Sequence, residues 1–239
     1  MLGEASHAEG QPQYAIRPLR TLPEGDRCAL VERLYGPDQR FARAFYRYWR
    51  EVIGQSEQEA QTSTAAELAQ YADAILKNPN DPYVHCVSLD RDGQHDPIGI
   101  FAFRPLEEHS QGQILESHLR FTGQRARYDG RLAIAHAVAL LDEHATRMAF
   151  NHILLSIAQK SLSGAFSFVF FYTSDDRLIA LYRRYGMEFP SDLRFPHSAH
   201  IVGVYEPARP ENLTRMRTVA QRCGVELELF DHVSVRSAP

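Results

Sequence analysis

The stretch FVFFYTSDDRLIALYRRYGMEF, residues 168–189, constrains the fold of this 239-residue chain more than any other. An apolar run of strand type passes through Ser174, Asp175 and Asp176 into a short helix that ends on Tyr185-Gly186. Leu178, Leu181, Tyr182 and Tyr185 fall at i, i+3, i+4 and i+7, which makes one apolar helical face. Ser174, Asp175 or Asp176 suits the N-terminal cap, and Gly186 stands where a left-handed C-cap is wanted.

Around this core piece the chain reads as α/β. Residues 1–13 are expected to be a disordered leader, and Tyr14–Leu19 alternates as a first strand. A helix is expected over Glu24–Leu34 and a second over Gln39–Ile53, where Phe41, Phe45, Tyr48, Trp49 and Val52 share a face. Arginines interleave with those rings, a pattern that can read single-stranded nucleic acid; at helical spacing the reading preferred is a core face with a solvated back. Thr64-Ala-Ala-Glu67 has the form of a capping box opening a third helix. Two β-rich runs, Tyr83–Leu89 and Ile98–Phe103, flank a turn-rich DRDGQHDP and predict a hairpin. Ile114–Phe121 is expected to resume as a strand. Ile134, Val138, Leu141, Ala145 and Met148, spaced 4, 3, 4 and 3, predict a long helix from Arg131 to about Phe150. Residues 152–162 fit either a continuation of that helix or a strand, with helix preferred. A strand near His200–Tyr205, a helix opened by Pro210 and an alternating strand VELELF complete the order. The expected architecture is one domain over 14–235 with a single mixed, mostly antiparallel sheet flanked by helices. Residues 207–235 form its helix-strand extension and 236–239 a tail.

Composition narrows the function. The formal charge is −4, which argues against binding driven by phosphate neutralisation, so no nucleic-acid partner is expected. Three distant cysteines, Cys28, Cys86 and Cys223, show no zinc spacing, and no metal is expected. The N-terminus lacks a signal-peptide pattern and no apolar run is long enough to span a bilayer. The expected setting is cytoplasmic, without a membrane partner.

The segment 168–189 resembles the C-terminal half of the GNAT superfamily of CoA-dependent N-acyltransferases. Ala180, Leu181, Tyr182 and Gly186 match that family's pattern, Asp175 stands where Asn is usual, and Met187 replaces a Phe. The family also binds the pyrophosphate of acyl-CoA at a loop R/Q-x-x-G-x-G/A that opens a helix. Here Arg127 and Gly130 match and Leu132 does not, leaving either a narrowed loop or one re-registered onto Ala133. The resemblance covers about residues 14–206. It implies an N-acyltransferase that moves an acetyl or other acyl group from acyl-CoA to an amine by direct attack. Phe121, Arg125, Arg127, Gly130, Arg131 and Asp175 are then the cofactor-binding set. Tyr182 matches the general acid, since a phenol of ordinary pKa about 10 suits a departing thiolate. Glu116, with His118 on the same face of the expected strand 114–121, is the candidate base.

Two alternatives stay open. One is the autoinducer-synthase type of acyltransferase, which takes its acyl chain from acyl-carrier protein; there the spacing in Glu116-Ser-His-Leu-Arg120-Phe121 is one residue longer than in the usual Glu-x-Ser-Arg-Phe. The other is a GNAT-like domain that binds without catalysis. The acceptor is expected to be a small-molecule amine or a peptide, and a homodimer is left open.

Overall fold

The computed structural model of the chain describes residues 13–91, 94–173, 176–194 and 200–225. Six strands form one sheet in sequence order, β1 (Gln13–Pro18), β2 (Val84–Arg91), β3 (Gln94–Pro105), β4 (Arg131–Leu140), β5 (Phe166–Thr173) and β6 (Ile201–Tyr205). All neighbours are antiparallel except β4 and β5, which run parallel. The helices are α1 (Glu24–Leu34), α2 (Arg40–Arg47), α3 (Glu57–Lys77), α4 (Ser110–Phe121), α5 (Arg147–Ser163), α6 (Asp176–Arg184) and α7 (Pro210–Cys223). Among the described residues, no helix is long and apolar enough to cross a membrane.

Period-two alternation along the central strands sends neighbours to opposite layers. Val87, Phe101, Ala133, Val169 and Phe171 pack with α5, α6 and α7. Cys86, Ile100 and Ala102 meet α1–α3 on the other face, and Leu132, Ile134 and Phe170 meet α4 there. Both faces of the sheet are therefore covered, which explains why its middle strands carry almost no polar residues.

That covering also explains two departures from the sequence reading. Residues 131–140 form a strand, not the first half of a long helix. RLAIAHAVAL is buried from both sides, so its alanines fit close packing and give no polar alternation to mark a strand. The 4-3-4-3 seam is a coincidence across a strand, a connection and the start of α5. Residues 114–121 belong to helix α4 instead of a strand. Leu115 and Leu119, four apart, are 1% and 0% exposed, and Glu116 accepts from Arg120 at 2.7 Å, the i,i+4 pairing of a helix.

The capping box also moves. Ser56 caps α3 and closes a reciprocal box with Glu59, whereas Thr64 sits buried inside the helix and donates to the Ala60 carbonyl. The strand read at VELELF lies almost wholly outside the described residues. Helix α2 ends in a π-turn over Tyr48–Val52, where the Ile53 N–H donates to the Tyr48 carbonyl five residues back at 3.1 Å.

Candidate active site

The parallel pair β4–β5 is short. Its register runs through Arg131↔Phe166, Leu132↔Phe168, Ala133↔Val169 and Ile134↔Phe170 and then stops. Beyond it β4 carries a bulge against β3: Ile100 pairs with Ala139 and Ala102 with His136, so two residues of β4 oppose Phe101 alone. A bulge bends and twists its strand. Here it accompanies the parting of β4 from β5, and a cavity of about 1070 Å³ opens at the gap, lined by residues from both faces of the sheet.

On one face the wall is cationic. Thr146 caps α5, its hydroxyl accepting from the Ala149 N–H at 3.2 Å. The first-turn N–H groups of an α-helix have no partner in its own ladder and carry the positive end of its dipole. Arg147 on that turn, Arg177 and Arg184 on α6, and Arg215 and Arg222 on α7 line the same side. Helix end and guanidinium groups together suit an anionic ligand such as one bearing phosphates. The connection 141–146 does not act as a glycine nest. It has no glycine, and Leu141, Asp142, His144, Ala145 and Thr146 all spend their N–H groups on protein acceptors. Its two acids are also paired, Asp142 with Arg43 and Glu143 with Arg33 at 3.2 Å.

The other face is aromatic and weakly acidic. Phe41, Phe45 and Tyr48 come from α2 and its π-turn, Glu67 and Tyr71 from α3, Tyr172 from β5, with His200 beside them. Trp49 donates Nε1–H to Glu67 Oε2 at 3.1 Å. Burial raises the Glu67 pKa, and the Trp49 hydrogen bond only partly opposes it. Burial also raises the Tyr71 phenol, with the Glu67 charge adding to the effect. Burial lowers His200, so it stands neutral near pH 7.

His136 enters the cavity from β4 at the point of parting. Its Nε2 accepts from Arg104 Nε at 3.1 Å, and Arg104 Nη2 donates to Asp81 at 2.8 Å. The His136 ring lies 4.0 Å from that of His109, which caps α4 by accepting from the Gly112 N–H at 3.3 Å. Burial, His109 and the Arg104 guanidinium hold His136 well below the ordinary histidine value. Burial, then Arg104, pushes His109 down to about 4. Both rings are neutral at pH 7, and the acceptor role of Nε2 assigns the His136 proton to Nδ1.

No protein-family model matches the sequence, and no curated protein does. Solved structures do resemble the chain. A mosquito arylalkylamine N-acetyltransferase, like 5b, aligns at 12% identity over 81% of this chain and 100% of its own, with a TM-score of 0.50. The C-terminal condensation domain of Ebony, in complex with beta-alanyl-dopamine, aligns at 12% over 82% and 100%, with a TM-score of 0.51. An uncharacterized protein from Bacillus halodurans aligns at 11% over 88% and 91%, with a TM-score of 0.52. The fold is GNAT-like.

Within this GNAT-like frame the residues singled out by sequence separate into two groups. Tyr182 lies in the cavity wall, 7% exposed, its ring 5.6 Å from those of Phe150 and Phe171. Its neighbour Tyr185 donates to buried Asn151 at 2.5 Å. The other group does not line the cavity. Glu116 is ion-paired on α4 with Arg120 and lies 3.8 Å from Arg125. Phe121 ends the same helix, 91% exposed. Arg125 donates to the carbonyls of Tyr128 and Gly130, Arg127 pairs with Asp192, and Arg131 donates to the Gly164 carbonyl at 2.9 Å.

Gly130 opens a strand, not a helix, so the loop 125–132 has no helix N-terminus to offer an anion. It also sits at the start of β4, whereas the cavity opens toward the end of that strand. The glycine is required locally: its φ is +91°, and a Cβ would meet Ser167 Oγ at 2.1 Å. Asp175 lies outside the described residues.

Sequence reasoning missed His136 and Glu67. Reading 131–150 as one helix hid His136, and placing Glu67 in a capping box explained it away. The signal available for Glu67 was its i,i+4 relation to Tyr71, opposite the aromatic stripe of α2.

Proposed function

We propose that this protein is an N-acyltransferase that moves an acyl group from acyl-CoA to a small amine by direct attack. The observation carrying this reading is a single cavity that crosses the sheet where β4 and β5 part, cationic on one side and aromatic with one carboxylate on the other. Such a passage lets donor and acceptor approach a common centre from opposite faces, which is the geometry direct transfer needs.

The α5 N-terminus with Arg147 and Arg215 would hold the donor's phosphates. CoA supplies the thioester, whose carbonyl is the electrophile. Glu67 accepts the amine proton: its raised pKa brings it nearer to the acceptor's range than an ordinary carboxylate. His136 is the weaker base, because its pKa is depressed and its Nε2 lone pair is already taken by Arg104; it fixes the polar edge of the gap. Tyr182 protonates the departing thiolate as the amide bond forms and the thioester bond breaks.

The test is thiol release from acetyl-CoA and longer acyl-CoAs with a panel of amines. Tyr182→Phe keeps the ring, so the melting temperature should hold while turnover falls by roughly 10²–10⁴-fold. Full activity in that variant would remove the acid role. A second reading, a GNAT-like domain that binds without acyl transfer, is favoured by the glycine-free connection 141–146. It predicts amine binding without thiol release.

A further inference from the structure

Resting on the acyl-transfer reading of the same cavity, we infer that the acceptor is an arylalkylamine: a primary ammonium on a short arm that ends in an aromatic ring. The inference comes from the side chains that form the acceptor-side wall.

Phe41, Phe45 and Tyr48 are spaced i, i+4 and i+7, so they share one side of α2 and its π-turn. Glu67 and Tyr71, four apart on α3, face them. The rings of Phe41 and Phe45 stand edge to face at 4.8 Å, and Tyr71 lies 5.7 Å and 5.6 Å from them. On the opposite side Tyr172 and His200 meet edge to face at 5.6 Å, and Tyr48 stacks on His200 at 5.3 Å. These rings are only half-buried although they pack together, because one part of each forms the cavity wall. Tyr71 and Tyr172 are hydrogen-bonded through their side chains and Tyr48 stacks on His200, so the two sets join into one aromatic wall, which suits a further aromatic body lying against it by offset or edge-to-face contacts.

Glu67 sets the polar end. It is the one carboxylate lining the cavity among the described residues, and Trp49 fixes its direction from behind. A carboxylate surrounded by aromatic faces favours a cation, through ion pairing and through the negative ring faces. A neutral or anionic ligand would leave that carboxylate desolvated with no counter-charge beside its Trp49 hydrogen bond. An aliphatic amine would satisfy the carboxylate but bring no aromatic contact to the ring wall.

Calorimetric titration of the full chain with phenethylamine, 2-cyclohexylethylamine, n-butylamine and 2-phenylethanol tests this, followed by acylation assays with the same amines. Phenethylamine should bind about tenfold tighter than the cyclohexyl analogue, of similar size and charge. Glu67→Gln keeps an oxygen for Trp49 and removes the charge; it should weaken phenethylamine at least about tenfold and leave 2-phenylethanol unchanged. Phe45→Leu is the second variant should Glu67→Gln not fold, and it should narrow the gap between phenethylamine and its cyclohexyl analogue. Equal binding of the four ligands, no binding of phenethylamine, or an unaltered affinity in both variants overturns the inference. Tight phenethylamine binding without thiol release from any acyl-CoA sustains it and overturns acyl transfer instead.

Discussion

Replacing His109 by Asn should make the protein more tolerant of acid. His109 titrates at about 4 in the folded chain, against an ordinary histidine value of 6.5, chiefly because it is buried and secondly because the Arg104 guanidinium stands near. The sign follows from proton counts. Between those two values the unfolded chain carries a proton on this ring and the folded chain does not, so stability rises with pH across the window. The contribution is whole above about pH 6.5 and is lost as pH falls toward 4. Between pH 7 and pH 5 that linkage amounts to about 2 kcal/mol, reduced to about 1 kcal/mol once the ring's partial exposure is allowed for. In a chain of this size about 1 kcal/mol moves the melting temperature by roughly 2–4 °C. Asn is the informative substitute because it is a good N-cap and keeps an acceptor for the Gly112 N–H, so α4 retains its start. Thermal melts of both proteins at pH 7 and pH 5 measure the difference. His109→Asn should lose about 2–4 °C less on acidification than the parent chain. An equal loss in the two proteins would refute a neutral His109 and the buried Arg104–His136–His109 cluster drawn from it.

Two further outcomes follow from the cavity and its surroundings. Gly130→Val should destabilise the fold by at least about 1–3 kcal/mol, since a side chain at φ +91° collides with Ser167, while acyl-CoA affinity of the folded fraction stays unchanged; denaturation and titration together check this. Arg147→Ala should raise KM for acyl-CoA about tenfold with little change in kcat, and the loss should shrink as salt is added; steady-state kinetics at two ionic strengths decides it.

Helix Glu24–Leu34 and the helix carrying Tyr182 were legible in the sequence because each leaves one face to solvent and keeps a helical period. The hairpin flanking residues 92–93 and strand 166–173 were legible although both their faces are covered, because their β-branched and aromatic runs are bounded by turn residues. The GNAT resemblance rested on the segment 168–189 together with the loop at Arg127 and Gly130; the fold agrees with the resemblance, while the loop opens a strand. Strand 131–140 was hidden because burial on both faces removes the polar half of the alternation, leaving Ala, Ile, Leu and Val in an order a helix could also use. Once it was misread, the strand-to-helix connection was sought one element too early, at Arg127 and Gly130 instead of at 141–147. Helix Ser110–Phe121 was lost for a related reason: its apolar residues Ile114, Leu115, Leu119 and Phe121 include two that the fold leaves exposed, at 46% and 91%, which blurs the helical stripe. Tyr182, which lines the cavity, was singled out because its helix was read correctly; His136 and Glu67 depended on segments that were not.

The brevity of the β4–β5 ladder has a consequence for hydrogen exchange. Four register pairs join the block β1–β4 to the block β5–β6, while the amides along Ala135–Leu140 have no β5 partner on that side. An extended, amide-bearing arm lying in the gap could pair with both strand edges and extend the ladder. Protection would then rise not only at Ala135–Leu140, where the arm sits, but also along β6, one strand removed from any contact with it. Coupled protection of that kind would mark the passage of two separately opening blocks into one cooperative unit.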